Sequence, residues 1–324
     1  MIISKTPLRI SFAGGGSDFE DYYKTGYGAV ISTTIDKHMF VAVSKKFEYP
    51  IRLAYSSVEE IHDVGDIRHN LIREIAKLVR VENSFSIHYT SELLSGHEGS
   101  GLGASSALAV GLLNALHAFV GRKITTAELA KLACKIEIDI LGSPIGKQDQ
   151  YVTAFGGFNY IKFKSNGRVE VKPIKCSSKT LAKLNARLLM FYTGLESSSQ
   201  KVLAEQKSKM PLNLKTIDKM VILAEKLKSA LEKGSLNNFG NILHENWMYK
   251  KSLASKISNP TIDDYYSRAR KAGALGGKIL GSGGGGFLLF YCPLDKQEKV
   301  RRALAGLREI NFKFESNGSQ IIKI

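Results

Sequence analysis

The sequence predicts an α+β protein built from two domains. Its 324 residues are enough for two domains of ordinary size. Alternating apolar and polar residues, which are typical of strands, occur together with segments whose apolar residues recur at helical spacing. A polar stretch at residues 175–179 separates a mixed region from a helix-rich one. We therefore predict domains at residues 1–175 and 176–324.

The elements of the first predicted domain follow from these patterns. The predicted strands are residues 2–12, 38–47, 84–90, 157–163 and 168–174. The predicted helices are residues 67–79, 105–119 and 126–140. The last helix can be capped by Thr125 or Thr126, with Glu128 in its first turn. The turn sequence 165–167, Ser-Asn-Gly, predicts that the last two strands form a hairpin.

The second predicted domain has a different order of elements. A short buried strand at 187–193 precedes a helix-rich region from about residue 198 to residue 272. Two strands flank a glycine run at 281–286. A helix at 295–307 and a final strand at 319–324 complete the chain.

Composition narrows the class of protein. Lys and Arg number 46 against 30 Asp and Glu, a formal net charge of +16, but the basic residues are spread along the whole chain. Without a basic tail or an RNP-type aromatic motif, this charge does not predict a nucleic-acid partner. Three scattered cysteines (Cys134, Cys176 and Cys292) are typical of reduced thiols. With no signal-peptide pattern and no apolar stretch of membrane-spanning length, we predict a cytoplasmic protein without a membrane partner.

The first of three glycine-bearing segments is PLRISFAGGGSD at residues 7–18. A strand leads directly into three glycines and then into Asp18. Glycines such as Gly15 and Gly16 let the backbone approach a ligand closely, and a carboxylate can accept hydrogen bonds from sugar hydroxyls. The alternative is a plain glycine turn in which Asp18 caps the next helix.

The second segment is GSGLGASSA at residues 99–107, where the helix 105–119 begins. Free N–H groups at a helix N-terminus form an anion site suited to a triphosphate, and serine hydroxyls there can reach Mg²⁺ or phosphate oxygens. A dinucleotide site is not predicted, because this loop follows a polar stretch and no acid lies about 20 residues later. A Walker loop is excluded, because no Gly-Lys-Ser/Thr follows the glycines.

The third segment, GGKILGSGGGGF at residues 276–287, holds four consecutive glycines between two apolar strands. Four glycines pack poorly between strands, so the run indicates a position where a close contact needs the space or the backbone needs unusual dihedral angles. The alternative interpretation is a flexible hairpin. Between the second and third segments, Glu137 lies near the end of a helix that glycines and a proline terminate, so Asp149 can return close to it. Asp139 lies about 200° round the helix from Glu137 and is expected to face away.

Together the three segments resemble the motifs of the GHMP kinase family, in the family's order and across almost the whole chain. The resemblance implies a ribosomal S5 domain 2-like N-terminal domain that binds ATP phosphates and a ferredoxin-like C-terminal domain, with the active site in the cleft between them. It implies ATP and Mg²⁺ as cofactors, and ATP and a sugar phosphate as partners. The state of oligomerisation, monomer or homodimer, is left open.

The resemblance also implies roles for individual residues. Asp149 faces the acceptor hydroxyl as a base or as an orienting group, and Arg9 lies beside it. Ser105 and Glu137 hold Mg²⁺. The ATP phosphates contact Gly99, Ser100, Gly101, Leu102, Gly103, Ala104, Ser105 and Ser106. The acceptor contacts Asp18, Gly15, Gly16, Asp149, Gly283 and Gly284.

Within the family, longer segments are most similar to the heptose 7-phosphate kinases, with fucokinase-type enzymes next. These segments include residues 32–41, 143–159 and 244–266. The likeness implies phosphorylation of the C1 hydroxyl of D-glycero-D-manno-heptose 7-phosphate, on the route to nucleotide-activated heptose for capsule or surface polysaccharide. One departure is the segment after FYTG, where related kinases carry an arginine and this chain reads LESSS at 195–199.

Two questions remain open from the sequence. The cation that binds the substrate phosphate can be any of several basic residues: Lys37, Lys147, Lys250, Lys251 and Arg270. The alternative functions are a fucose- or mannose-type sugar 1-kinase of the same family and a non-catalytic GHMP-like sugar sensor. The presence of Arg9, Ser105, Glu137 and Asp149 favours a catalytic protein.

Overall fold

The computed structural model describes residues 1–47, 50–81, 84–93 and 101–323. The helices are α1 (Glu20–Tyr23), α2 (Asn70–Val79), α3 (Ala104–Phe119), α4 (Thr126–Cys134), α5 (Gln148–Phe155), α6 (Ser178–Asn185), α7 (Ser199–Ser208), α8 (Met210–Glu232), α9 (Phe239–Ser252), α10 (Pro260–Lys271) and α11 (Gln297–Ala303). Short 3₁₀ turns occupy Val64–Asp66 and Leu294–Lys296. None of the helices in the described ranges is long and apolar enough to cross a membrane.

Among the described residues, nine strands form the larger sheet. They are β1 (Ile2–Ala13), β2 (Tyr27–Lys45), β3 (Ile51–Ala54), β4 (Val58–Ile61), β5 (Phe85–Ser91), β6 (Phe158–Lys164), β7 (Val169–Pro173), β12 (Phe314–Glu315) and β13 (Gln320–Lys323). The order is β13-β1-β2-β5-β3-β4, with β6 and β12 also paired to β2 and β7 paired to β6. All pairs are antiparallel except β3 with β5. The end of the chain thus returns to the sheet in which the chain begins.

In the part of the chain that the structure describes, four strands form the smaller sheet. They are β8 (Leu188–Tyr192), β9 (Gly276–Ile279), β10 (Phe287–Tyr291) and β11 (Arg308–Glu309), in the order β11-β8-β10-β9. β9 and β10 pair antiparallel around the glycine run of the third segment, with Ile279 opposite Leu288. The run is therefore the connection between two paired strands.

β1 lies at the centre of the molecule and is buried continuously from Thr6 to Ala13. Helix α3 packs on β1 and β2, and α8 and α9 from the later part of the chain also contact β1. The approach of α3 is close, because a Cβ atom at Gly111 would lie 3.0 Å from the Thr6 hydroxyl. β1 is thus covered by helices although Thr6, Arg9 and Ser11 interrupt its apolar residues.

Most predicted elements are confirmed. The strands at 2–12, 84–90, 157–163, 168–174, 187–193 and 319–324 and the helices at 67–79 and 105–119 are present with shifts of a few residues. Strand β2 begins at Tyr27, eleven residues before the predicted strand 38–47. The helix 126–140 is capped by Thr125 through a capping box with Glu128, is α-helical to Cys134, and continues as a π-helix over Lys135–Ile140. The domain boundary at residue 175 stays a prediction.

Candidate active site

Arg9 and Asp149 form a bidentate ion pair at the centre of the site. Arg9 projects from β1 and Asp149 from the first turn of α5. Arg9 donates from Nε to Asp149 Oδ1 over 2.6 Å and from Nη2 to Oδ2 over 2.5 Å. The planar guanidinium matches a carboxylate in this geometry, so the pair fixes the orientation of the Asp149 carboxylate.

The same arginine holds the glycine loop that precedes α3. Its Nη1 donates to the Gly101 carbonyl over 2.5 Å, and its backbone N–H donates to the Leu102 carbonyl over 2.9 Å. Gly103 is the N-cap residue of α3, with φ of +74°, and no described side chain caps the helix. Among the residues that the structure describes, the first-turn N–H groups of α3 therefore have no side-chain acceptor, as an anion site requires. The predicted phosphate contacts Gly99 and Ser100 lie outside the described residues.

Glu137 lies beside the start of α3 and accepts three hydrogen bonds. Ser105 Oγ donates to its Oε1 over 2.9 Å, Ser106 Oγ donates to Oε2 over 2.8 Å, and Gln150 Nε2 donates to Oε2 over 2.6 Å. The side chain is 3% exposed, and this burial raises the pKa of the Glu137 carboxyl, against the effect of its donors. It projects from the π-helical segment, a local widening that often marks functional sites. Asp139 is exposed, as predicted.

Asp18 is a second buried carboxylate near Asp149. Its Oδ1 accepts from the Gly16 N–H over 3.0 Å, and its Oδ2 accepts from Gln148 Nε2 over 3.1 Å. Burial and then the charge of Asp149 raise the pKa of Asp18. Gln148 adjoins Asp149 on α5, so the first segment and the acid-bearing helix meet here.

The third segment packs directly on the glycine loop. A Cβ atom at Gly281 would lie 2.4 Å from the Gly101 Cα, and one at Gly101 would lie 2.3 Å from the Leu280 carbonyl oxygen. Both residues have positive φ, so glycine is required there for conformation and for space. The third segment therefore lies directly against the glycine loop before α3.

Gly283 and Gly284 pack elsewhere in the same run. A Cβ at Gly283 would lie 2.5 Å from the Ile257 carbonyl oxygen, and one at Gly284 would lie 2.7 Å from Ser197 Oγ. Ser197 belongs to the segment in which an arginine was expected, and its hydroxyl donates to the Gly283 carbonyl over 2.5 Å. These contacts explain why glycine occupies both positions; their contact with an acceptor stays a prediction.

Two buried lysines complete the site, and Lys278 was not singled out from the sequence. Lys278 in β9 donates to the Ser11 carbonyl over 2.7 Å, and Lys250 in α9 donates to Gln206 Oε1 over 2.7 Å. Burial, with the nearby charges of Lys250 and Arg9, lowers the pKa of Lys278 to about 7. A lysine within an otherwise apolar and glycine-containing strand is the signal that could have revealed it.

Asp149 lies close to Glu137, as the turn residues between them predicted. Asp149 stands between Gln148, which donates to Asp18, and Gln150, which donates to Glu137, and its charge acts on Lys250 and Lys278, so these groups share one region. One surface cavity is lined by Asp21, Lys207, Ser208, Met210, Pro211 and Leu214, and another by Lys183, Arg187, Gly234, Leu236, Asn237, Leu275, Tyr291 and Pro293. Neither cavity is lined by a predicted site residue. The candidate site is therefore identified by its buried charged side chains and their hydrogen bonds.

The Lys278→Met variant should reveal how the buried Lys278 ammonium makes the stability of the folded protein depend on pH. Unfolded Lys278 keeps its proton up to about its ordinary pKa of 10.5, whereas the folded protein releases it near pH 7. Between these values the unfolded state binds more protons, so the stability of the wild type should rise with pH relative to the variant. Melting temperatures of both proteins from pH 6 to pH 9 would show this trend, and a difference independent of pH would contradict it.

The donor set beside α3 suits a magnesium ion. Mg²⁺ prefers hard oxygen ligands and is commonly held by one or two carboxylates together with substrate phosphates. The Ser105 hydroxyl and the Glu137 carboxylate supply such oxygens 2.9 Å apart, next to the uncapped helix start. Among the described residues, no three His, Cys, Asp or Glu side chains cluster as an all-protein metal site would require. The two oxygens of Ser105 and Glu137 are compatible with the way in which Mg²⁺ is commonly bound together with a substrate phosphate.

Comparison with known proteins gives a consistent family assignment. Residues 70–157 match the GHMP kinases N terminal domain, and residues 227–307 match the GHMP kinases C terminal domain. The D-glycero-alpha-D-manno-heptose 7-phosphate kinase of Campylobacter jejuni is 32% identical over 318 residues, which cover 94% of this chain and 93% of that protein. The L-fucokinase/L-fucose-1-P guanylyltransferase of Bacteroides fragilis is 26% identical over 93% of this chain and 35% of that protein.

The fold is shared with a solved heptose kinase. The crystal structure of a D-glycero-D-manno-heptose 1-phosphate kinase from Bacteroides thetaiotaomicron superposes with a TM-score of 0.82 at 28% identity. The match covers 100% of this chain and 99% of that chain. The two-domain α+β fold predicted from the sequence is thereby confirmed.

Proposed function

This chain belongs to the GHMP kinase family, and we propose that it transfers the γ-phosphoryl group of ATP to the C1 hydroxyl of D-glycero-D-manno-heptose 7-phosphate. The products are ADP and the 1,7-bisphosphate, which would supply nucleotide-activated heptose for capsule or surface polysaccharide. The main support for catalysis is the Arg9–Asp149 ion pair. Arg9 also donates to the loop before α3, so the pair lies next to that loop.

Asp149 is positioned to receive or orient the proton of the acceptor hydroxyl. Arg9 holds both carboxylate oxygens, so the carboxylate cannot rotate freely. Arg9 also lies against the phosphate loop, where its charge stabilises negative charge on the group in transfer. One residue thus links the base to the phosphoryl donor.

The start of α3 binds the ATP phosphates in this proposal. Its first N–H groups, which no described side chain caps, and the helix dipole favour an anion, and Gly101 and Gly103 place no side chain at their own positions in the loop. Ser105 and Glu137 would hold Mg²⁺, which neutralises phosphate charge when it is bound. Glu137 is kept in place by Ser106 and Gln150 from two different helices.

The heptose acceptor is supported by similarity over nearly the full length of a heptose 7-phosphate kinase. The turn at Gly15 and Gly16 is consistent with a large acceptor, because the nearest atom to a Cβ at Gly15 would be 3.9 Å away. Asp18, held by Gly16 and Gln148, would accept hydrogen bonds from sugar hydroxyls in this region.

A substrate panel tests the proposal. Phosphate transfer from ATP is measured for heptose 7-phosphate, fucose, mannose and galactose, with formation of the sugar phosphate followed directly. We expect the highest kcat/KM for heptose 7-phosphate. A preference for fucose or mannose would replace the acceptor but keep the kinase, whereas binding without transfer to any sugar would indicate a sugar sensor.

A further inference from the structure

A buried polar pair from α7 and α9 lies next to the site and has no role in the reaction as described so far. Lys250 is 6% exposed and Gln206 is 1% exposed. The Lys250 ammonium donates to Gln206 Oε1 over 2.7 Å. In the part of the chain that the structure describes, this is its single hydrogen bond, and no carboxylate lies within 4.0 Å of it. Because an ammonium has three donors, two remain available.

Gln206 has an unsatisfied donor that faces the first glycine segment. Its Nε2 is buried and, among the described residues, has no hydrogen-bond partner. A Cβ atom at Gly16 would lie 2.7 Å from this nitrogen, so the amide group is directly beside the Gly15–Gly16 turn. A buried polar atom without a partner is costly and usually indicates a missing ligand or water molecule.

A third side chain in this region has an unsatisfied acceptor. Gln148 donates from Nε2 to Asp18, but its Oε1 is buried without a partner among the described residues. Gln148 lies on the Gly15 side of the turn and Gln206 on the Gly16 side. The region around the turn thus presents free donors and a free acceptor together. A hydroxyl group both donates and accepts, so a polyhydroxylated ligand satisfies such a set.

The surrounding charges favour hydroxyls over a phosphate. The carboxylates of Asp18 and Asp149 are close enough to oppose the effect of burial on Lys250, whose pKa burial lowers to about 8. A phosphate placed at Lys250 would be repelled by both carboxylates, whereas a neutral hydroxyl would not. Moreover, Asp149 lies beside the reacting hydroxyl in the proposed function, and the phosphate of a sugar 7-phosphate is at the opposite end of the sugar from that hydroxyl.

We propose that Lys250 and Gln206 bind hydroxyl groups at the reacting end of the acceptor sugar and determine its specificity, and that Lys250 does not bind the substrate phosphate. The inference rests on the proposed function, because it takes Asp149 as the mark of the reacting hydroxyl. It requires a sugar acceptor, but not heptose 7-phosphate in particular.

The test compares the effects of Lys250→Met and Gln206→Met on the two substrates. Each variant keeps an unbranched side chain of similar length and removes the donors. We expect kcat/KM for the sugar to fall about 30-fold in Lys250→Met, as for loss of a hydrogen bond to a charged group, with the KM for ATP nearly unchanged. Lys226→Met, the same change at an exposed lysine of α8, is the matched control and should alter neither value.

Monodeoxy analogues of the acceptor separate direct contact from a structural role. If Lys250 donates to one hydroxyl, the analogue without that hydroxyl should be used equally well by the wild type and by Lys250→Met. Equal losses for every analogue, or a parallel rise in the KM for ATP, would show that Lys250 only supports the fold. The same comparison of deoxy analogues is made for Gln206→Met. Melting temperatures establish that each variant is folded.

A comparison of heptose 7-phosphate with unphosphorylated heptose shows whether Lys250 binds the reacting end of the sugar or its phosphate end. The wild type and Lys250→Met should prefer heptose 7-phosphate over heptose by the same factor. A smaller preference in Lys250→Met would place Lys250 at the phosphate and overturn the inference. If the wild type does not use heptose 7-phosphate, the proposed acceptor fails, and the best acceptor of the panel then takes its place in the deoxy test.

Discussion

Asp149→Asn is expected to lower turnover by about 10³-fold while leaving ATP affinity nearly intact, the effect typical of losing a positioned general base. Asparagine keeps the size of the side chain and one acceptor oxygen, so Arg9 retains part of its contact. The change removes the negative charge that the acceptor proton would approach. The measurements are kcat with the best acceptor and the Kd of a fluorescent ATP analogue.

The stability of the variant must be measured in parallel. Arg9 is buried, and its charge loses an ionised partner in Asp149→Asn, which is destabilising in buried pairs. Circular dichroism at the assay temperature shows whether the variant is folded. Asp264→Asn, the same substitution in an exposed surface pair of α10, is the control and should leave turnover unchanged. Unchanged turnover in folded Asp149→Asn would remove Asp149 from the mechanism.

The parts of the site that could be predicted are those with local signals. The strand that carries Arg9, the glycine loop before α3 and the helix bearing Glu137 each combine a short-range pattern with turn residues. The orientation of Glu137 relative to Asp139 followed from helical spacing alone. The return of Asp149 towards Glu137 followed from the glycines and proline between them, although helix α5 itself was missed because no side chain caps its start.

The parts that could not be predicted depend on contacts between distant residues. Gln206 lies in a helix whose sequence, SQKVLAEQKS, is typical of an exposed surface, and its burial results from packing beside Gly16. The pairing of β12 and β13 with the first sheet is likewise invisible locally, because a two- to four-residue strand carries no information about its partner. Such long-range pairings are decided by the packed core rather than by propensity.

The arrangement of buried charges explains why the site tolerates so many of them. Arg9, Lys250 and Lys278 share the region with Asp18, Glu137 and Asp149, three basic side chains with three acidic ones. Burial is the main cause that raises the pKa of Asp18 and lowers the pKa of both lysines, and the charge of Asp149 partly opposes the shift of each lysine. An incoming phosphate and its metal ion add charges of both signs to this set.

Glu137→Gln is expected to lower turnover roughly 10²- to 10³-fold and to raise the Mg²⁺ concentration required for half-maximal rate, because a carboxylate beside the phosphate loop is lost. The fold should tolerate the change well. Burial makes the ionised carboxylate costly, and the buried Gln150 Oε1, which has no partner among the described residues, can accept from the new amide if Gln150 flips. Activity should therefore fall without a matching fall in melting temperature. Asp139→Asn, two residues away and exposed, should change neither quantity. An unaltered Mg²⁺ requirement in Glu137→Gln would show that the metal is held elsewhere and that Glu137 serves only to fix Ser105 and Ser106.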